Sequence, residues 1–162
     1  MEGLIVVHPI EGYADPYQMG VDEATRISGV FEKISREIDS YLSRGDFVYT
    51  LQSGHDDSPL HSCVRRFENQ EGFVYVPGDV SYEAQFLLTK EQVVLDKVRS
   101  LAVCGFARDV CVKDVYDLFR GVVPDKDRAL WKKRSDSTRW SDEKFDKIFR
   151  LPLEIRVIEE LC

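Results

Sequence analysis

The sequence predicts a three-layer α/β/α fold on a mainly parallel, Rossmann-like sheet, and three observations carry that expectation. Short, continuous apolar runs such as Leu4-Ile5-Val6-Val7 recur along the chain; without polar alternation, they suit strands covered on both faces. Between the runs lie longer segments with apolar residues at helical spacing, and strand alternating with helix favours crossover connections and parallel pairing. Finally, no linker, repeat or low-complexity tract divides the 162 residues, so one domain over 1–162 is expected.

Leu4 to Val7 reads as the first strand. A polar stretch from Glu11 to Gly20 leads to a helix beginning near Asp22, on which Ile27, Val30, Ile34, Ile38 and Tyr41 recur at spacings of three and four. Gly45 supplies its stop. Phe47-Val48-Tyr49-Thr50-Leu51 is a strand by its β-branched and aromatic content. Phe73-Val74-Tyr75-Val76 is the third, ended by Pro77-Gly78. Thr89 and Gln92 read as a capping box opening a short helix over Val93 to Val98. Leu101-Ala102-Val103-Cys104 is the fourth strand, closed by Gly105. Asp109 is placed to cap a helix carrying Val112, Val115, Tyr116 and Phe119, stopped near Gly121. Val122-Val123 reads as a brief fifth strand and Lys126 to Ser141 as a basic loop. A helix over Asp142 to Phe149 and a strand around Ile155 to Ile158 complete the chain.

With 43% hydrophobic and 31% charged residues, the composition is that of a soluble globular protein. Twenty-nine acidic against 22 basic side chains give a formal charge of −7, which argues against nucleic acid as a partner, since phosphate binding needs a basic face. A membrane partner is not expected either, because no apolar run approaches the roughly 18–20 residues needed to span. The first residues lack the basic start and long apolar region of a signal peptide. Four cysteines, Cys63, Cys104, Cys111 and Cys162, are too few for a disulfide scaffold and point to a reducing cytoplasm.

In an open parallel sheet, ligands bind beyond the carboxyl ends of the strands, where the strand order reverses. The residues that follow each strand therefore matter most. Among them, Cys111 falls in the first turn of a helix, where backbone N–H groups and the helix dipole favour a thiolate. The alternative is a small packed core residue. Cys104 lies inside an apolar strand and reads as packing.

The segment Leu101-Ala102-Val103-Cys104-Gly105-Phe106-Ala107-Arg108-Asp109-Val110-Cys111-Val112 resembles the nucleophile segment of the isochorismatase-like cysteine hydrolases, a superfamily that includes nicotinamidases. Their pattern is Gly-x-x-Thr-Asp-x-Cys-Val. Gly105, Asp109, Cys111 and Val112 match it, and Arg108 stands for the Thr. The resemblance implies an α/β/α fold, a non-proline cis peptide at Phe106-Ala107, and an oxyanion hole from the Ala107 and Cys111 N–H groups. It also implies a small-molecule substrate and, by family habit, a homo-oligomer. Two departures stand beside the match. The family's Asp base corresponds to His8, and Val76-Pro77-Gly78-Asp79 lacks the family's Lys.

Cys–His pairing activates a thiolate without a carboxylate base, so Cys111 and His8 are the candidate catalytic pair. Glu11, Asp15 and Asp79 are candidates to orient the imidazole, and Phe106 and Asp109 are further pocket candidates. The loop from Gln52 to Cys63 resembles the metal site of nicotinamidase-type relatives through His55 and His61, with Asp56 or Asp57 as carboxylate. Such donors suit Zn, Fe or Mn; the alternative is a polar, solvated turn. The basic, Trp-bearing stretch from Lys126 to Trp140 reads as a surface loop or subunit contact. Two functions follow: hydrolysis of a small amide through Cys111, or a pseudo-enzyme that keeps the fold for ligand binding or assembly.

Overall fold

The computed structural model describes residues 1–53, 58–136 and 138–162. Five strands, β1 (Glu2–Val7), β2 (Phe47–Leu51), β3 (Phe73–Val76), β4 (Ser100–Gly105) and β5 (Glu154–Val157), form one sheet in the spatial order β3-β2-β1-β4-β5. Every pairing is parallel. Leu4 and Val6 face one side of the sheet and Ile5 and Val7 the other, all fully buried. This two-sided burial is why the strands read as unbroken apolar runs.

Helix α1 (Pro16–Met19) is a single turn leading into α2 (Val21–Ser43), which lays Ile27, Phe31, Ile34 and Ile38 over Leu4 and Val6. α3 (Ser62–Arg65), also one turn, adds Val64 to that layer. The opposite layer is α4 (Tyr82–Leu95), α5 (Lys113–Phe119) and α7 (Asp142–Arg150), with Phe86, Val115, Leu118, Phe145 and Phe149 on Ile5 and Val7. α6 (Arg128–Arg134) packs beside α4. The expected three layers are present.

Several element boundaries differ from the sequence expectation. The helix expected over Val93 to Val98 is α4, which starts eleven residues earlier, at Tyr82. Its cap is Ser81, whose hydroxyl accepts the Ala84 N–H. Thr89 lies mid-helix, buried, and donates its hydroxyl back to the Gln85 carbonyl. The first half of α4 is buried nearly all round, through Ala84, Gln85, Phe86, Leu87, Thr89 and Lys90, so no amphipathic stripe marks it.

Val122-Val123 is not a strand. The Val122 N–H bonds the Asp117 carbonyl and the Gly121 N–H the Leu118 carbonyl, a Schellman closure of α5 around Gly121 at φ 69. That donor is therefore committed to the helix end. Nor is Lys126 to Ser141 a loop throughout, since it contains α6; its cations meet acids of α7, Arg128 with Asp146 and Lys132 with Asp142. Trp140 is buried and donates to Glu91. Among the described residues, no helix is long and apolar enough to cross a membrane.

Candidate active site

The register aligns Val7 with Leu51 on one side and Gly105 on the other. The carboxyl ends of β2, β1 and β4 therefore finish level, and the strand order reverses at β1. His8 and Phe106 leave the sheet side by side at this switch point, the place where such folds bind ligands.

His8 is 3% exposed and holds a left-handed backbone conformation, φ 50. Its N–H extends the ladder to the Leu51 carbonyl at 2.7 Å. The imidazole lies toward α4, with ring centroids 6.2 Å from Tyr82 and from Phe86, and Nε2 is 3.3 Å from Gln85 Oε1. Gln85 is itself buried, and its amide nitrogen faces the carbonyls of Gln52, Val76 and Pro77. Those acceptors turn the Gln85 oxygen toward His8. A carbonyl oxygen needs a donor, so His8 Nε2 carries a proton.

β4 meets β1 through Gly105, at φ 112, where a Cβ would stand 2.2 Å from the Val7 carbonyl oxygen. Only glycine fits that approach. The Phe106-Ala107 peptide that follows is cis. Phe106 turns to the α2 side, against Phe31 at 5.2 Å and Tyr13 at 5.5 Å. The chain then winds through a wide π-helical turn, Arg108–Val112, closed by the Val112 N–H on the Ala107 carbonyl at 3.0 Å. Asp109 was expected to cap this helix. Instead Ala107 occupies the cap position with no side-chain hydrogen bond, and the Asp109 side chain is 92% exposed beside Arg108. The π-turn replaces a side-chain-capped α-helical start.

Cys111 is half-buried on the α4 side of the sheet, the side His8 also faces. The Tyr82 hydroxyl, on the same side, donates to Asp114 Oδ2 at 2.8 Å. Burial, reinforced by Cys111 and Asp114, pushes the Tyr82 phenol far above its ordinary range, so it is a neutral hydrogen-bonding group at all working pH. Next to this cluster opens a cavity of about 520 Å³, lined by Tyr82, Val110, Asp114, Leu130, Trp131 and Arg134 among others, within the size range of small-molecule sites.

The remaining candidates are placed elsewhere. Glu11 pairs with Arg65 at 3.6 Å, Asp15 caps α1 by accepting the Tyr17 N–H, and Asp79 is exposed. Gln85, which sequence reasoning missed, is hydrogen-bonded to the imidazole.

His61 caps α3, its Nδ1 accepting the Cys63 N–H at 3.2 Å, and stacks on Phe31 at 4.2 Å. Burial lowers its pKa. His55, Asp56 and Asp57 lie outside the described residues. Gln52 stands near the expected carboxylate, but its amide is used between the Ser58 carbonyl and the Tyr75 hydroxyl. Among the described residues, no three acidic, Cys or His side chains converge to hold a metal. The described donors do not fit one.

Sequence reasoning also missed Tyr82 and Asp114. Asp114 follows Cys111 by three residues, a same-face spacing on a helix. Ser81 as a cap would have put Tyr82 in the first turn beyond β3.

No family model matches the chain, and no curated protein matches it. Solved structures do. The nicotinamidase of Staphylococcus aureus superposes with a TM-score of 0.52 at 16% identity, over 72% of this chain and 76% of that one. N-carbamoylsarcosine amidase of Thermoplasma acidophilum gives 0.55 at 12%, over 83% and 96%. The pyrazinamidase of Pyrococcus horikoshii, solved in complex with zinc, gives 0.53 at 12%, over 97% and 98%. At such identities it is the architecture that is shared, and this chain has the α/β/α fold of those amidases.

Proposed function

We propose that the protein is a cysteine hydrolase of a small amide, with Cys111 as nucleophile. The observation that carries this reading is the position of Cys111: on a widened turn directly after Gly105 and the cis peptide, at the switch point of the sheet, beside a ligand-sized cavity. His8 accepts the thiol proton, and the sulfur attacks the amide carbon. The carbonyl electron pair moves to oxygen, held by the Ala107 and Cys111 N–H groups, donors whose effect on such steps is often the largest single contribution. Collapse breaks the C–N bond, the amine leaves with the proton from His8, and water then hydrolyses the thioester. The four free cysteines fit a reducing, cytoplasmic setting.

The test is ammonia release from nicotinamide, pyrazinamide and N-carbamoylsarcosine by the purified chain. Cys111→Ser and His8→Gln should each lower turnover by roughly 100-fold or more. If none of these amides is hydrolysed, and Cys111 alkylates as an ordinary thiol with a midpoint near pH ~8.5, the reading fails. The protein is then a pseudo-enzyme that uses the same cavity to bind a ligand.

A further inference from the structure

The cavity of about 520 Å³ beside the π-turn has walls of two kinds. Tyr82 and Trp131 supply aromatic surface, and the exposed side chains of Val110 and Leu130 add an apolar rim. The half-buried indole of Trp131 is held by the rings of Phe149, at 6.1 Å, and Phe86, at 6.5 Å. The second kind of wall is charged. Glu83, Asp114 and Asp127 line the same space with a single cation, Arg134, and Arg134 is taken up by Glu83 at 3.3 Å. The basic side chains on either side are committed elsewhere: Lys113 to Asp117, Arg128 to Asp146 and Lys132 to Asp142. Among the described residues, no ion pair uses Asp114 or Asp127. Asp114 accepts from a neutral group, the Tyr82 hydroxyl at 2.8 Å. Asp127 stands at the N-cap position of α6 yet makes no capping hydrogen bond with its side chain.

We propose that this cavity selects a small organic cation, an amide whose far end carries an ammonium or pyridinium-type charge, with Asp114 and Asp127 as the residues that set this specificity. A cation between the two carboxylates supplies the charge that the protein's own basic residues do not, and the faces of Trp and Tyr attract it further. A neutral ligand gains neither interaction, and an anion is repelled. By the same argument the carboxylate of N-carbamoylsarcosine makes it a poorer ligand than nicotinamide. Val110 and Asp114 flank Cys111 in the chain, so a ligand held here lies beside the turn that carries the sulfur. The amide end of the ligand rests on the hydrolase reading, whereas its charged end is argued from the cavity alone.

The experiment is calorimetric titration of the full-length Cys111→Ser chain, shown to be folded by circular dichroism. The probes are nicotinamide, nicotinamide methylated on the ring nitrogen, and nicotinamide methylated on a ring carbon. The first methylation adds a positive charge, and the second adds the same volume without it. The cationic probe should bind at least about tenfold tighter than either neutral one. Asp127→Asn and Asp114→Asn should each cut that preference by about threefold or more while leaving the neutral affinities within about twofold. Equal affinities, tighter binding of a neutral probe, no binding of the cation, or a preference that survives both substitutions overturns the proposal. The two readings fail separately. Cation preference without amide hydrolysis by the native chain retains this inference and sinks the hydrolase, and hydrolysis of nicotinamide with no cation preference does the reverse.

Discussion

Thr50 lies on β2, fully buried, and among the described residues its hydroxyl is the one buried side-chain polar atom without a hydrogen-bond partner. Such a group was desolvated without return. Thr50→Val should raise the stability of the chain by about 1 kcal/mol, read as an increase in Tm, and an unchanged or lower Tm would show that the hydroxyl is satisfied. Single residues were unevenly legible before the structure. Cys111 and His8 stood out because each follows an obvious strand and one carries a motif. Gln85, Tyr82 and Asp114 did not, because their roles come from three-dimensional neighbours: Gln85 meets His8 across 77 residues. An amide that looks like any helical Gln acquires its meaning from the three carbonyls it faces.

Helix ends show how local chemistry writes itself into the chain. α2, α4 and α5 all close with the same pair of hydrogen bonds, through Gly45, Lys97 and Gly121 in turn. The two glycines were read correctly as stops. Lys97 does the same task at φ 57 with a side chain attached, a conformation costing about 1 kcal/mol for a residue with a Cβ. Lys97→Gly should therefore stabilise the protein by roughly 0.5–1 kcal/mol in urea unfolding; a loss of stability would mean that the ordering of the chain by Lys97 outweighs the relief. The absence of a glycine here also hid the true end of α4, and its two-sided burial hid the start. α6 was missed for another reason. Its short, basic sequence looks solvated until the acids of α7 are set against it. The strands were legible because continuous apolar runs survive any detail of packing.

At the scale of the molecule, one charged side chain ties the α4 layer together. Lys90 is fully buried in α4 and donates from Nζ to the Leu118 carbonyl of α5 at 2.6 Å and to the Phe149 carbonyl of α7 at 3.3 Å. Burial lowers its pKa from 10.5 to about 7. Between these values the unfolded chain binds a proton that the folded chain does not, so stability rises with pH across that window, by at most about 1.4 kcal/mol per unit. His61, also lowered by burial, has the same sign but acts at lower pH. Tyr49 and Tyr82, raised by burial, oppose the trend only above the ordinary tyrosine range near ~10. Cys104 and Cys162, raised by burial, oppose the trend from the ordinary thiol range near ~8.5 upward, so Tm should climb from about pH 7.5 to 8.5, and Lys90→Met should flatten that climb. An equal climb in the variant would assign it to other groups. The global architecture was predictable because alternation of strand and helix leaves few topologies. The crossing point of three helices at one amine was not, since a lone Lys in a sequence reads as surface.

The π-turn at Arg108–Val112 uses five residues where an α-helical turn would use about four. One amino acid therefore goes to the bearing of the sulfur and not to the length of the helix. Shortening the chain by one residue here would let a regular helix form from the same sequence, while rotating everything before the deletion by about 100° relative to α5. The helix would look healthier and Tyr82 would face the wrong neighbour. Insertions and deletions, more than substitutions, are thus the changes by which a chain of this shape would gain or lose its chemistry while its outline stayed the same.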